Sequence, residues 1–181
     1  MTAPAPLSSS PRVVVVGAGP AGLRAVETLA KAGLRPILID EARRPGGQIY
    51  RQPPEGAERP AEALYGFEAG KATALHRLLG DLGDAVEHRA ETLVWNAFET
   101  TLDLLGPSGI STIEFDRLIL ATGAMDRILP FPGWTLPGVF TLGAAQIALK
   151  AQGVAIGRRV VLVGAGPLLP LIGRASCRER V

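Results

Sequence analysis

An α/β fold organised on a parallel sheet is predicted by three features of the 181-residue sequence. The β-branched run Val13-Val14-Val15-Val16 breaks into Gly17-Ala18-Gly19-Pro20-Ala21-Gly22, and a helical stripe follows over residues 20–32. After Gly33 a second apolar run, Ile37-Leu38-Ile39, ends in Asp40-Glu41. Strand, glycine turn, helix and strand in that order form a βαβ unit, whose parallel strands need such a crossover. The strand and turn signal recurs at Val160-Val161-Leu162-Val163-Gly164-Ala165-Gly166, so a second unit of the same kind begins near the end of the chain.

The first glycine turn carries chemistry as well as shape. Gly17 permits the tight turn, Gly19 has no side chain to hold a phosphate away from the backbone, and Gly22 lets the helix lie close to the strand. Pro20 suits a first helical turn, where its missing N–H costs nothing. The remaining N–H groups there, with the positive end of the helix dipole, suit a phosphate. Asp40 falls roughly 20 residues beyond the turn, where a carboxylate accepts hydrogen bonds from a ribose. Gly17, Gly19, Pro20, Ala21, Gly22 and Asp40 therefore predict a Rossmann-type dinucleotide site. In the second turn Leu169 stands where the third glycine would be, so Gly164 and Gly166 mark a second nucleotide site with a less closely packed helix.

Between the two turns the elements follow in order. Residues 1–11 are rich in Ala, Pro and Ser, with neither a basic start nor an apolar centre. They read as a loose, disordered leader rather than a signal peptide, which places the protein in the cytoplasm. Pro45-Gly46-Gly47 turns the backbone with its amides available. Residues 61–82 show a helical pattern with Leu64, Phe67, Leu75, Leu78, Leu79 and Leu82 on one face and Gly70 as the candidate break. Short strands at 85–88, 92–96, 101–105 and 112–115, with a hairpin at Gly106-Pro107-Ser108-Gly109, predict a small antiparallel meander. His76 and His88 stand apart from any ligand partner and read as packing or surface residues, so no metal site is predicted. Residues 117–120 form a buried strand that ends in Ala121-Thr122-Gly123, small residues that leave room for a ligand across the sheet. An extended linker over residues 130–139 leads to a short helix over 143–152.

Hydrophobic residues make up 47% of the sequence, ample for a core, and no apolar run approaches the about 20 residues that a membrane span requires. The final ten residues, Ile172-Gly173-Arg174-Ala175-Ser176-Cys177-Arg178-Glu179-Arg180-Val181, resemble a translated sequencing adapter and are read as a scar. Removing them leaves sixteen basic and sixteen acidic residues, 19 less three and 17 less one. A neutral balance points away from nucleic acid and anionic membranes. The single cysteine, Cys177, lies in this tail, so the rest has no thiol nucleophile, disulfide or cysteine-bound metal.

With Gly17 to Gly22, Asp40, Pro45 to Gln48, Ala121 to Gly123 and the second turn all in order, the chain resembles the two-dinucleotide-binding flavoprotein oxidoreductases over residues 11–171. Pro45-Gly46-Gly47-Gln48-Ile49-Tyr50-Arg51, Ala121-Thr122-Gly123-Ala124-Met125-Asp126-Arg127 and Pro130-Phe131-Pro132-Gly133-Trp134-Thr135-Leu136-Pro137-Gly138-Val139 are more specific. They are similar to the FAD-containing subunits of opine oxidase, hydrogen cyanide synthase and related heteromeric amino-acid dehydrogenases. The resemblance implies a three-layer, Rossmann-like FAD-binding domain over residues 12–140, and a linker helix with the first strand and turn of an NAD(P)-type domain over 141–171. It implies that Gly17, Gly19, Ala21 and Gly22 face the FAD pyrophosphate and that Asp40 holds the adenosine ribose, with the adjacent Glu41 sharing or assuming that role. Gly47 and Gln48 would lie near the flavin, the backbone around Val94 near adenine, and Ala121, Thr122 and Gly123 beside the pyrophosphate and ribityl.

The implied reaction passes hydride from a C–N substrate, an amino acid or opine, to flavin in one subunit of a heteromeric enzyme, with NAD(P) the cofactor of the second domain. No cysteine follows Gly47, which removes a redox pair at that place. In the family a segment returning after the second domain completes the flavin domain; its absence implies a truncated chain that holds FAD weakly or not at all. Two alternatives stand beside this reading, an NAD(P)H-dependent flavoprotein reductase and an inactive truncated nucleotide-binding module. No catalytic residue is marked by its spacing.

Overall fold

The computed structural model describes residues 10–57 and 59–164. Four consecutive valines form β1 (Val13–Val16), buried along its whole length, because β-branched side chains fit a pleated strand covered on both faces. The chain turns into α1 (Pro20–Lys31), with proline in its first turn and Gly33 at φ +79° just past its end. It returns as β2 (Ile37–Ile39), also fully buried. β3 (Glu87–Arg89) and β7 (Arg117–Leu120) complete a four-stranded sheet in the order β3-β2-β1-β7, every pair parallel.

A separate antiparallel sheet is made by β4 (Leu93–Phe98), β5 (Thr101–Gly106) and β6 (Gly109–Glu114), with β5 in the middle. Leu102 and Leu104 of β5 are 1% exposed and pack with Val94, Ile113 and Phe115 against Val14, Val16, Ile37, Ile39 and Leu118. Alternation along the strands sends Val13, Val15 and Leu38 to the opposite face, where they are buried too. α1 lies against β1 and buries Leu23 and Val26. The architecture is therefore α/β with a meander, a parallel sheet and helix in layers. Pro107 and Ser108 form the tip of the β5–β6 hairpin, closed by the Gly106–Gly109 pair.

Among the described residues, those up to Tyr50 together with Lys71–Gly123 make one compact unit, and those of 51–70 with 124–164 make another. In the second unit α2 (Ala61–Tyr65) is followed by a 3-10 turn at Gly66–Glu68, and α3 (Ala69–Leu82) runs on into the first unit. α4 (Leu142–Ala151) is capped by Thr141 Oγ1, which accepts the Ala144 N–H at 3.1 Å, while the Asp126 carboxylate accepts the Gly143 N–H at 2.5 Å. The Lys150 ammonium sits 5.6 Å from the Tyr65 ring centroid.

Several expectations need correction. The segment expected to open the meander, residues 85–88, instead yields a 3-10 turn at Gly83–Ala85 and then β3, which pairs in parallel with β2 through Ile37–Glu87, Leu38–His88 and Ile39–Arg89. A strand of three residues carries no local mark of its partner, so sequence proximity to β4 misleads. The helix expected over 61–82 breaks at Gly66, whose φ of +58° is left-handed, and not at Gly70. Phe67 consequently leaves the helical stripe and is 91% exposed. Residues 158–163, expected as a strand, pair with no strand among the described residues, and Val161 and Val163 are 87% and 90% exposed. Residues 1–9, Gly166 and the ten-residue tail lie outside the described residues.

His88 shares the buried face of Leu38, and its Nε2 has no partner among the described residues. Burial holds its pKa below 6.5, against the opposing pull of the Asp40 carboxylate. The unfolded chain takes up its proton near pH 6.5 and the native fold resists, so stability is full above that pH and declines as pH falls from there towards the native pKa. The thermal midpoint of the wild-type chain should fall between pH 7 and 5.5 more steeply than that of His88→Leu; parallel midpoint curves would show that the imidazole is not held neutral. Leu104→Ala should cost about 2–5 kcal/mol in urea unfolding through the cavity it opens. Leu105→Ala, one residue on but 47% exposed, should stay within about 0.5 kcal/mol.

Candidate functional site

The C-terminal ends of β1, β2, β3 and β7 share one edge of the parallel sheet, and the sequence-predicted residues gather there. Gly17, at φ +107°, has no room for a side chain, since a Cβ would lie 2.3 Å from the Ala121 carbonyl oxygen. A Cβ on Gly22 would lie 1.8 Å from the Gly17 carbonyl oxygen. Both glycines are thus demanded by backbone packing, and they bring α1, β1 and the residues after β7 into contact. The Ala121 N–H donates to the Val16 carbonyl at 2.8 Å, which carries Ala121, Thr122 and Gly123 to the same edge.

Gly19 is different. Its φ of −73° suits any residue, and a Cβ there would meet only the Gly47 Cα, at 3.8 Å. Gly47 itself, at φ +60°, could not carry a side chain, because a Cβ would come 2.8 Å from the Gly19 Cα. The Gly46 N–H donates to the Ala18 carbonyl at 2.9 Å, so the Pro45-Gly46-Gly47 turn is laid backbone to backbone on the first glycine turn. The N–H groups of Gly19, Ala21, Gly22 and Gly47 find no partner among the described residues. The first three lie at the positive end of α1, an arrangement that attracts an anion.

Asp40 joins the same edge. Its Oδ2 accepts the Ala18 N–H and its Oδ1 accepts the Ala42 N–H, the latter at 2.7 Å. Its backbone is tied to the segment after β3: the Asp40 N–H donates to the Arg89 carbonyl at 3.1 Å, and the Thr92 N–H donates to the Asp40 carbonyl at 2.9 Å. A carboxylate has about four lone-pair sites, so two backbone donors leave capacity for the hydroxyls of a sugar. Glu41, the next residue, is exposed and makes no hydrogen bond among the described residues.

Gly17, Gly19, Pro20, Ala21, Gly22, Asp40, Gly47 and Ala121 are thus assembled, with Gln48 following Gly47 and Thr122 and Gly123 following Ala121. Val94 follows in β4, two residues beyond Thr92, and its side chain packs into the core between the sheets. The segment knitted to Asp40 is residues 89–92, which sequence reasoning missed; reading 87–89 as a parallel strand would have placed its end at this edge. Gly164 is exposed at φ +154° in the second unit. No group of three or more His, Cys, Asp or Glu able to hold a metal occurs among the described residues, and no described helix is long and apolar enough to cross a membrane. His76 is a packing residue, with its Nε2 2.8 Å from the Tyr50 carbonyl oxygen.

Such a site offers backbone donors for a diphosphate beside a carboxylate for a ribose. Comparison with known proteins agrees with this geometry. The chain is 41% identical over 165 residues to one of the subunits of opine oxidase from Rhizobium meliloti (strain 1021), covering 91% of this chain and 35% of that protein. It is 41% identical over 164 residues to the HcnB subunit of hydrogen cyanide synthase from Pseudomonas protegens, covering 88% and 34%. It therefore spans about a third of the length of these relatives. Among solved structures, L-proline dehydrogenase from P. horikoshii superposes with a TM-score of 0.75 at 24% identity, over 93% of this chain and 34% of that one, and shares the fold. The family defined as pyridine nucleotide-disulphide oxidoreductase matches residues 11–168, and the chain belongs to it.

Proposed function

We propose that the chain is the FAD-holding part of an oxidoreductase subunit that takes hydride from an amino acid or opine in the cytoplasm. The observation that carries the reading is Gly19: the fold leaves room for a side chain there, while the N–H groups around that room have no partner among the described residues. A diphosphate would fill the space and accept those donors. The Gly19, Ala21, Gly22 and Gly47 amides would hold the pyrophosphate and Asp40 the ribose hydroxyls. Gln48, beside Gly47, would lie towards the flavin, with Ala121, Thr122 and Gly123 along the pyrophosphate and ribityl. The backbone around Val94, with residues 89–92 leading into it, would border the adenine. When bound, flavin supplies the hydride-accepting chemistry, and the chain supplies position and electrostatics. Similarity to the opine oxidase and hydrogen cyanide synthase subunits supports both the substrate class and the place in a heteromeric enzyme.

Two glycine variants separate the fold from the site. Gly19→Ala should keep its circular dichroism and lose no more than about 1 kcal/mol of stability, yet bind FAD at least tenfold more weakly, about 1.4 kcal/mol, in a titration followed by flavin fluorescence. Gly22→Ala should lose the fold itself. Unchanged FAD affinity in a folded Gly19→Ala would defeat the proposal. In the same titration Glu41→Gln should stay within about twofold of wild type, about 0.4 kcal/mol; a tenfold loss would move the ribose contact from Asp40 to Glu41.

A further inference from the structure

The outward face of the β4–β5–β6 sheet breaks the usual pattern. An antiparallel sheet with one face on a core presents polar residues on the other. Here Leu93, Leu105 and Ile110 stand directly opposite one another across all three strands, 44%, 47% and 75% exposed. The strand irregularity between Val94 and Asn96 leaves the Trp95 indole beside this row 54% exposed. The next row is polar and fixed: Asn96 Nδ2 and Thr112 Oγ1 both donate to the Asp103 carboxylate, at 2.9 and 2.8 Å. These two hydrogen bonds lower the Asp103 pKa and keep its charge on the face.

Charge along this stretch has one sign. Residues 90–116 contain Glu91, Glu99, Asp103, Glu114 and Asp116 and no Lys, Arg or His, although the chain as a whole is nearly neutral. Apolar side chains aligned across strands beside acids alone suit a protein surface that is apolar at its centre and basic at its rim. Two copies of this face would set Asp103 and Glu114 against the same two acids, which disfavours self-association.

We infer that this outward face is the docking surface for a different polypeptide of the same enzyme, one that contacts the Leu93, Leu105 and Ile110 row with apolar residues and Asp103 and Glu114 with Lys or Arg. The inference rests on the proposed place of the chain in a heteromeric enzyme, but it fails separately from it.

The test places a photoreactive p-benzoylphenylalanine at Ile110, and as a control at the exposed Thr28 of α1, in the protein produced in its own cells. Irradiation from position 110 should yield an adduct with a different polypeptide, attached at a peptide carrying Lys or Arg beside apolar residues; position 28 should give none. Glu99→Lys with Glu114→Lys, at exposed residues whose side chains make no hydrogen bond among the described residues, should leave folding intact by circular dichroism and cut adduct yield at least tenfold. No adduct at position 110, attachment within the same polypeptide or to a second copy, an acidic contact peptide, or indifference to charge reversal would each overturn the assignment. A heteromeric enzyme isolated intact with Ile110 uncrosslinked would sink the surface while leaving the proposed function standing.

Discussion

Backbone-to-backbone contact at the C-terminal end of β1 is the constraint on which the first unit turns. A helix packs at its usual distance when side chains separate it from a strand. With Gly22 against the Gly17 carbonyl and Gly17 against the Ala121 carbonyl, no side chain intervenes at either crossing. α1 is thereby drawn over the junction of β1 with β7, and its N-terminal amides are carried to the edge where the parallel strands end. One steric requirement thus fixes the position of the helix and the direction in which its unspent donors point.

The remaining strands serve that edge indirectly. β1 lies inside the sheet and needs cover on both faces; α1 supplies one side and Leu102 and Leu104 of the meander the other. β5 therefore carries two kinds of leucine within four residues, inward ones that close the core and an outward Leu105 aligned with Leu93 and Ile110. Burial of apolar area at about 25 cal/mol/Å² accounts for the inward pair. Nothing inside the first unit accounts for the outward row, and the surrounding acids supply the other half of a surface that is complementary to something else.

What is legible in the sequence divides along the same line as local and non-local determinants. Gly17 to Gly22, Pro20 and Asp40 are readable because turn, helix start and strand end are each encoded within a few neighbouring residues. The Gly106–Gly109 hairpin is readable for the same reason. The pairing of β3 is not, since Glu87-His88-Arg89 could add to either sheet by its local pattern, and the choice depends on β2, almost fifty residues earlier in the chain. The link from Asp40 to residues 89–92 has the same origin: once β3 belongs to the parallel sheet, this segment emerges beside Asp40. The break at Gly66 in place of Gly70 is of another kind, because two glycines four residues apart offer equal local licence and only the left-handed turn at one of them decides.

The glycines of the first turn also separate what the fold requires from what it merely permits. Gly17, Gly22 and Gly47 would each collide with backbone if given a Cβ, so their identity follows from packing alone. Gly19 follows from nothing inside the molecule, for its conformation is ordinary and the space beside it is open. Yet the donors bordering that space are backbone N–H groups, which cannot retract or rotate away as a side chain would. A rigid array of this kind can neither donate nor accept a proton in a reaction, and the carboxylate beside it is already braced by the amides of Ala18 and Ala42. Its physical competence is to grip and orient an anionic ligand that brings its own chemistry, which is the division of labour expected where a cofactor carries the electrons.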